Sequence, residues 1–401
     1  MAEAQRGHVP RRFILLYALA WAGGSVAYTP FLSILLPMRV ASLAGPEAQV
    51  TWLAYLAFAG AIAASLGNIL FGYLSDITRF RRGWVALGMA LSGGLLVLGG
   101  AARSLPELIG FIAAWQLALN MMLAPLAAWA GDRVDDAHKG LLGGLLAFAP
   151  GLGALSGALV TMPGFAGPGM RLVLVALMAA LCVAPVLLFG GAGPRPLASD
   201  SPAATPTARR ALLVRMWLAR LAVQIAEAAM FAYLYFWFRS LDPAMDDSDT
   251  TRIFSAVLVL SAPAALLAGR WIDRTGRPIA PLALCAALSA AGLLTMASAA
   301  TLPVAIAGYA MFGLASGVFL ALHAAQTLRV LPRPERRGRD LGLFNLTNTV
   351  PSLIMPWLTV LMVPVFGYAG LFVLLAMLAA SAAVLLATTR SDPESGAELH
   401  A

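Results

Sequence analysis

The feature that most constrains this chain is a succession of long apolar runs. A helix needs about 20 mostly apolar residues to cross the hydrocarbon core of a membrane, which is roughly 30 Å thick. The sequence contains twelve such runs, joined by mostly short connections: 13–37, 50–75, 83–102, 106–130, 140–162, 171–190, 212–238, 252–272, 279–299, 303–328, 341–364 and 366–388. It therefore predicts an all-α integral membrane protein with twelve transmembrane helices, in which no separate soluble domain fits.

The overall composition agrees with this class. Of the 401 residues, 60% are hydrophobic and 11% are charged, whereas a soluble globular chain has about 25% charged residues. The first run follows Arg6, Arg11 and Arg12 and so resembles a secretory signal, but its apolar core is too long for one. We therefore interpret it as an uncleaved first span.

The distribution of basic residues predicts the orientation of the chain. If the N-terminus lies in the cytoplasm, most of the 27 Lys and Arg residues lie on the cytoplasmic side. Those on the opposite side are Arg39, Arg103, Arg171, Arg239 and Arg252. Such a bias follows the positive-inside rule. We therefore expect a multi-pass protein of the cytoplasmic (inner) membrane with both termini in the cytoplasm. The net charge of +8 then concerns orientation and implies no nucleic-acid partner.

Residues that would support enzymatic chemistry are few and scattered. Cys182 and Cys285 fall inside predicted spans, where we expect packing roles and neither a disulfide nor a metal site. The four histidines have no metal-ligand spacing, and no G-x-x-x-x-G-K-[ST] loop for nucleotide phosphates is present. We therefore expect neither an enzyme nor an ATP-driven pump, and neither a cofactor nor a metal.

The chain contains an internal duplication. Asp76 and Asp273 lie in matching junctions between spans and are 197 residues apart. Pro150 and Pro351 lie in a second matching pair of junctions and are 201 residues apart. Between the repeats, "GAGPRPLASDSPAATPTARR" has the composition of a flexible linker. The predicted organisation is an N-terminal six-helix half, a cytoplasmic linker, a C-terminal six-helix half and a cytoplasmic tail, at 1–190, 191–211, 212–390 and 391–401.

The span junctions carry a family resemblance. "GRWIDRTGRP" (269–278) spells G-x-x-x-D-R-x-G-R, which resembles the signature loop of the major facilitator superfamily. "GYLSDITRFRRG" (72–83) keeps the first Gly, the Asp and three arginines but loses the Asp-Arg pair and the inner Gly. "SDITRFRRGW" and "GRDLGLFNLTNTVP" are similar to loops of cation-coupled sugar-transporter-like branches. The resemblance implies two pseudo-symmetric six-helix halves, a monomeric transporter of small molecules, and a central cavity lined by spans one, four, seven and ten.

The resemblance also implies that the two junctions act as a cytoplasmic latch of the outward-open state. A carboxylate there can accept hydrogen bonds from the free amides at a neighbouring helix N-terminus, and the arginines can pair with carboxylates of the other half. For Arg81, Arg82 and Arg277 the alternative that they merely fix the topology stays open. The latch candidates are Asp76, Arg79, Arg82, Asp273, Arg274 and Arg277.

Glu227 is the one acidic residue that lies deep inside a predicted span. An ionisable group inside a membrane is expensive and commonly functional. A carboxylate whose surroundings alternate between wet and closed can take up and release a proton. We therefore predict that Glu227 is the proton-coupling residue. The alternative is a carboxylate in a fixed hydrogen-bond cluster that holds the halves together.

Polar side chains at helical spacing suggest a substrate site. Arg220, Gln224 and Glu227 form one stripe in the seventh span, with Arg220 roughly 10 Å nearer the cytoplasm than Glu227 at 1.5 Å per residue. The substrate-binding candidates are Arg220, Gln224, Trp21, Ser25, Tyr28, Gln116, Asn120, His323, Asn345 and Asn348. For several of them a structural role stays open: Ser and Asn often join membrane helices, Tyr28 could belong to an interfacial belt, and His323 could be a satisfied histidine of the bundle.

These observations predict a secondary active transporter that moves a small organic solute by alternating access and is coupled to protons. The direction stays open between import by symport and export of drugs or metabolites by antiport. A transporter-like sensor that binds without translocating is the alternative from another class. Aromatic and amide side chains with one acid and one base are compatible with a polar neutral or zwitterionic solute.

Overall fold

The computed structural model describes residues 11–135, 138–162, 164–191, 206–245, 247–275, 279–330 and 337–389. These residues fold into helices and short connections, and the described part of the chain contains no β-strand. This agrees with the all-α class that the apolar runs predict.

Within the described residues, the first half of the chain forms eight α-helices. They are α1 (Arg11–Pro30), α2 (Leu36–Leu43), α3 (Pro46–Thr78), α4 (Arg81–Leu98), α5 (Leu105–Arg133), α6 (Lys139–Leu146), α7 (Ala149–Thr161) and α8 (Pro168–Phe189). A π-helical turn, Phe31–Leu35, joins α1 to α2 directly after Pro30. Because proline cannot donate an amide hydrogen bond, a local change of helical register at this point is expected.

The described part of the second half forms five α-helices. They are α9 (Pro206–Leu241), α10 (Asp247–Thr275), α11 (Ile279–Ala297), α12 (Leu302–Val330) and α13 (Arg337–Ala387). Gly367 interrupts α13 with a φ of 65° and a ψ of −176°. Only glycine adopts such a conformation without strain, so Gly367 separates the eleventh predicted span from the twelfth.

All twelve predicted spans coincide with helical segments. Within the described residues, ten segments are both long enough and apolar enough to cross a membrane. The seventh span lies in α9 and the eleventh in the first part of α13, and neither is among these ten. The fold is thus the multi-helical membrane fold that the sequence predicts, while the count of twelve crossings stays a prediction.

Many large apolar side chains lie on the outside of the bundle. Leu66, Leu181, Val259 and Val365, for example, are between 60% and 70% exposed. A soluble protein rarely displays so much contiguous apolar surface, whereas a membrane protein presents it to lipid.

Each half has its own packed interior. One apolar cluster, built around Trp115 and Trp129, belongs to the first half. Two others, built around Phe312 and Phe319, belong to the second. The halves meet chiefly where α3 packs on α13 and α6 packs on α10. The predicted linker 191–211 and tail 391–401 lie mostly outside the described residues, and α9 begins at Pro206, within the predicted linker.

Candidate functional site

The first contact between the halves joins the end of α3 to the start of α13. Asp76 lies in the last turn of α3 and accepts hydrogen bonds from the backbone amides of Gly338 and Arg339, both at 2.9 Å. These amides belong to the first turn of α13, where no intrahelical acceptor exists and the helix dipole favours an anion. A Cβ atom at Gly72 would overlap the carbonyl of Gly338. Glycine therefore permits this close approach of two backbones.

The second contact repeats the first with the halves exchanged. Asp273, near the end of α10, accepts hydrogen bonds from the amides of Gly140 at 3.0 Å and Leu141 at 2.8 Å. These amides belong to the first turn of α6, and Gly140 also faces the backbone of Gly269. Since Asp76 and Asp273 are the two aspartates of the duplicated loops, the duplication in sequence becomes a pseudo-twofold pair of junctions in space. We call them the α3–α13 junction and the α10–α6 junction.

Arginine partners differ between the two junctions. Arg81 is 4% exposed and bridges two carboxylates, with Nη2 at 2.6 Å from Asp76 Oδ1 and Nε at 3.1 Å from Asp132 Oδ2. At the other junction Arg329 Nη2 lies 2.7 Å from Asp273 Oδ1. The sequence analysis named Arg81 as either a latch residue or a residue that merely fixes the topology. It named neither Asp132 nor Arg329 as a candidate.

The remaining latch candidates lie at the surface or outside the described residues. Arg79, Arg82 and Arg274 are exposed, and none of them makes an ion pair with another residue of the described ranges. Arg277 lies outside those ranges. The carboxylates of the latch candidates are thus held by backbone amides, while the described arginines among them point away.

Contact between the halves continues inward from the α3–α13 junction. Gly342 packs on the backbone of Ile69, and Ser65 Oγ and Thr349 Oγ1 are hydrogen-bonded at 2.7 Å. From Asp76 back to Ser65 the helix advances about 16 Å at 1.5 Å per residue, about half of a roughly 30 Å hydrocarbon core. The two halves are therefore closed against each other on the side of the loops that carry the duplicated aspartates.

A central cavity of about 110 Å³ lies between the halves, next to this closed layer. Four of the predicted substrate-binding residues line it: Trp21, Arg220, Asn345 and Asn348. It is also lined by Tyr17, Asn68, Thr327 and Phe344, which the sequence analysis did not single out. Its walls come from both halves.

Among the described residues, the hydrogen-bond partners of Arg220 are neutral groups. Its Nη2 lies 3.2 Å from Asn348 Oδ1, and its Nη1 lies 3.4 Å from both the Leu320 carbonyl and His323 Nδ1. Gln224 Nε2 donates to the same Asn348 oxygen at 2.5 Å. Asn348 in turn donates to Asn345 Oδ1 at 2.8 Å. Arg220, Gln224, Asn345 and Asn348 therefore form one polar cluster.

His323 is fully buried behind this cluster. Its Nε2 lies 2.9 Å from the carbonyl of Met216, which fixes that nitrogen as the donor. Nδ1, which faces Arg220 and Thr327 Oγ1, is then the acceptor. The geometry thus describes a neutral imidazole that supports Arg220 from behind and does not line the central cavity.

Glu227 lines a different cavity from Arg220. This second cavity, of about 120 Å³, lies between α9, α10 and α12, and is lined by Tyr309, Phe312, Ser261 and Phe254 among others. Ser316 Oγ donates a hydrogen bond to Glu227 Oε1 at 2.8 Å. Within the described residues the carboxylate makes no ion pair. The stripe of α9 therefore opens into two separate cavities, whereas the sequence suggested one.

The other predicted substrate-binding residues do not line these cavities. Asn120 accepts a hydrogen bond from Asn68 at 2.9 Å and donates to the carbonyl of Gln116 at 2.8 Å, so it joins α3 to α5. Gln116 is 4% exposed, and its Oε1 has no hydrogen-bond partner in the described structure. Ser25 is half-buried and Tyr28 is 47% exposed. No group of three or more His, Cys, Asp or Glu residues that could hold a metal occurs in the described ranges.

The chain was compared with known proteins by sequence and by structure. The sequence model of the Major Facilitator Superfamily matches residues 216–401. No curated protein matches by sequence.

Solved structures resemble most of the chain in fold. The human organic anion transporter MFSD10 (TETRAN) is 15% identical with a TM-score of 0.75, over 94% of this chain and 99% of that one. The proton:xylose symporter XylE, bound to 6-bromo-6-deoxy-D-glucose, is 14% identical with a TM-score of 0.74, over 94% and 95%. The E. coli fucose:proton symporter FucP is 15% identical with a TM-score of 0.73, over 95% and 99%.

Proposed function

We propose that the chain is a member of the major facilitator superfamily, whose sequence model matches residues 216–401, and that it is a proton-coupled secondary active transporter of a small organic solute. On this proposal it is a membrane transporter and not an enzyme, which the family model and the similar solved structures support. The proposal adds the coupling ion, the residues and the working cycle.

The proposal of proton coupling is based on the surroundings of Glu227. Its carboxylate lies inside the bundle, beside a cavity, with the hydroxyl of Ser316 as its hydrogen-bond donor. A carboxylate that only held helices together would be expected in an ion pair, because an unpaired charge in a low-dielectric interior is costly. Protonation removes that cost, and contact with water restores the charge. We therefore assign proton uptake and release to Glu227.

Alternating access follows from the two junctions. In this structure the halves are closed on the loop side, where Asp76 and Asp273 each accept two amides from the other half. We propose that these two carboxylates are the latch, with Arg81 and Arg329 as their charge partners, and that release of both junctions opens the central cavity to that side. Gly72 and Gly140 allow the backbones to meet and part again without side chains in the way.

The polar cluster of the central cavity is the proposed substrate site. Arg220, Asn345 and Asn348 line the cavity with Trp21, and Gln224 belongs to the same hydrogen-bond cluster. Arginine and amide side chains orient a polar solute, and an aromatic ring packs against its apolar part. We assign His323 a positioning role behind Arg220 and Asn120 a helix-joining role.

The excess of Lys and Arg supports an orientation with the loop side in the cytoplasm. On that assignment the structure is closed to the cytoplasm. We propose a monomeric, multi-pass protein of the cytoplasmic (inner) membrane with both termini inside.

The test is proton flux in proteoliposomes that contain the purified full-length chain and the pH-sensitive dye pyranine. Sugars, organic acids, peptides and siderophore-like compounds are added outside one at a time. We expect at least one of them to change the internal pH beyond the change in protein-free liposomes. If no compound does so, and an imposed pH gradient drives the flux of none, coupled transport is wrong.

The sign of the change also decides the direction of coupling. Acidification of the interior on addition of the solute indicates symport, and alkalinisation indicates antiport, the mechanism of the exporter alternative. A transporter-like sensor would bind a compound, as shown by thermal stabilisation, yet produce no flux of protons or solute.

A further inference from the structure

The charge balance of the central cavity points to the class of solute that it binds. Arg220 is the one charged residue among the described residues that line the cavity, and none of these is acidic. A guanidinium stays charged under all ordinary conditions. The described lining of the cavity therefore carries one positive charge.

The contacts of Arg220 do not neutralise this charge. Its acceptors are an amide oxygen, a backbone carbonyl and an imidazole nitrogen, at 3.2 to 3.4 Å. Charge-assisted hydrogen bonds of arginine are usually shorter, at about 2.7 to 2.9 Å. No ion pair of Arg220 with another described residue occurs.

Two other inward-facing arginines of the same chain are held more firmly. Arg81 makes ion pairs with two carboxylates. Arg133 donates to the carbonyl of Gly190 at 2.5 Å and lies over the ring of Phe13 at 4.8 Å. Compared with these, Arg220 lacks both a carboxylate and a short hydrogen bond, although it lines the cavity between the halves.

Glu227 makes no ion pair with Arg220, although the two charges attract each other across the distance between them. It lies seven residues further along α9, which places it roughly 10 Å away along the helix axis, and its carboxylate lines the second cavity with Ser316. Moreover, the proposed function requires this carboxylate to bind a proton, which removes its charge for part of the cycle.

We infer that the central cavity binds an organic anion, with a carboxylate of the solute paired to Arg220; this rests on the proposed function of the cavity as the substrate site. A carboxylate matches the planar guanidinium by two parallel hydrogen bonds. Asn345 and Asn348 provide amide groups beside it, and the rings of Trp21 and Phe344 provide apolar walls for the remainder of the molecule.

The test compares acids with their uncharged amides on the purified full-length protein at pH 7.5. Matched pairs are benzoate with benzamide, nicotinate with nicotinamide and hexanoate with hexanamide, and thermal stabilisation as a function of concentration gives the affinity. We expect at least one acid to stabilise the protein while its amide does not. Loss of a charged hydrogen-bond pair worth about 1.5 to 3 kcal/mol corresponds to binding that is roughly 10- to 100-fold weaker.

Variants then locate the site. Arg220→Gln should weaken binding of the acid roughly 10- to 100-fold. Arg220→Lys keeps the charge but loses the planar fork, so we expect an intermediate loss of about 10-fold. Arg215→Gln is the matched control on the same helix, because Arg215 donates to the carbonyl of Thr388 and not into the cavity, and it should bind like wild type. Thermal unfolding without ligand shows whether each variant is folded.

Three results would overturn the inference: no acid of the set stabilises the wild-type protein, the amides bind as well as the acids, or Arg220→Lys and Arg220→Gln, both folded, bind like wild type. The proposed function fails in a different way. If a neutral solute is moved by a pH gradient, coupled transport stands and the anion inference falls. If acids bind through Arg220 but no flux follows, the inference stands and coupled transport falls.

Discussion

Charged side chains lie inside the helix bundle in two regions of the described structure, and their partners in these regions differ. At the two junctions on the loop side, each aspartate accepts two backbone amides and an arginine. Along α9, Arg220 and Glu227 face cavities with neutral partners and make no ion pair within the described structure.

This difference separates charges that hold the structure together from charges that can bind an ion or a proton. A buried charge that is fully paired contributes to one conformation and is costly to break. A charge that is left with neutral partners keeps its capacity to bind an ion or a proton. By this criterion we propose that the junctions set the conformation of the protein and that α9 binds its ligands.

The largest effect is expected at the α3–α13 junction. Asp76→Asn removes the negative charge that pairs with Arg81 and that accepts hydrogen bonds from two backbone amides. The side chains of Asp76 and Arg81 are both about 5% exposed or less. We expect a loss of about 3 kcal/mol in the free energy of unfolding, measured by titration with a denaturing detergent. Asp273→Asn, where the paired side chains are 13–14% exposed, should cost less, about 1 to 2 kcal/mol.

A result in which Asp273→Asn is the more damaging of the two, or in which neither changes stability, would break this ranking. Equal losses in the two variants would mean that the amide contacts and not the ion pairs hold the junctions, since those contacts are alike in number and length.

A smaller effect is expected from steric opening of the same junction. In Gly338→Ala the new methyl group would overlap the carbonyl of Gly72, so the halves must separate. We expect a loss of about 1 to 3 kcal/mol, the usual cost of overpacking. Spin labels at Thr78 and Thr275, which are exposed on the loop side, should report a population with a longer distance.

Gly94→Ala is the matched control for this variant. Gly94 lies within α4, and a Cβ atom there would have no neighbour within 4 Å. Alanine is favoured over glycine in a helix by about 1 kcal/mol, so stability should be unchanged or slightly higher and the label distance unchanged. Equal label distances in Gly338→Ala and Gly94→Ala would contradict the role of the junction as a point of closure.

The smallest effect on stability is expected on α9. Glu227→Gln keeps the shape of the side chain and an oxygen that can accept from Ser316, and it removes a charge that has no ionic partner. We therefore expect a change in the free energy of unfolding of less than about 1 kcal/mol, by the same detergent titration. A loss as large as that of Asp76→Asn would show that Glu227 holds the bundle together, which is the structural alternative for this residue.

Much of the fold was predictable because its signals are local. Apolar runs of sufficient length define the helices, and the offset of 197 residues between Asp76 and Asp273 reveals the duplication. The same offset separates Asp132 from Arg329. Opposite charges therefore occupy equivalent positions of the two halves, and this signal in the sequence could have identified the pair.

The site was harder to predict because it depends on where helices begin and on what packs beside them. Among Arg79, Arg81 and Arg82, it is Arg81 that turns inward. The left-handed backbone of Arg79, with a φ of 52°, and the start of α4 at Arg81 determine this choice. Likewise, Arg220 and Glu227 share one face of α9, but different neighbours enclose them at their two depths. Periodicity reports the face of a helix and not its surroundings.

The most direct test of the account is solute accumulation by Glu227→Gln in proteoliposomes. Exchange of labelled for unlabelled solute needs no net proton movement, whereas accumulation against a gradient does. The account predicts that the variant exchanges solute at a rate near that of the wild-type protein but accumulates none when a pH gradient is imposed. Accumulation by Glu227→Gln equal to that of wild type would remove Glu227 from the mechanism and contradict the account.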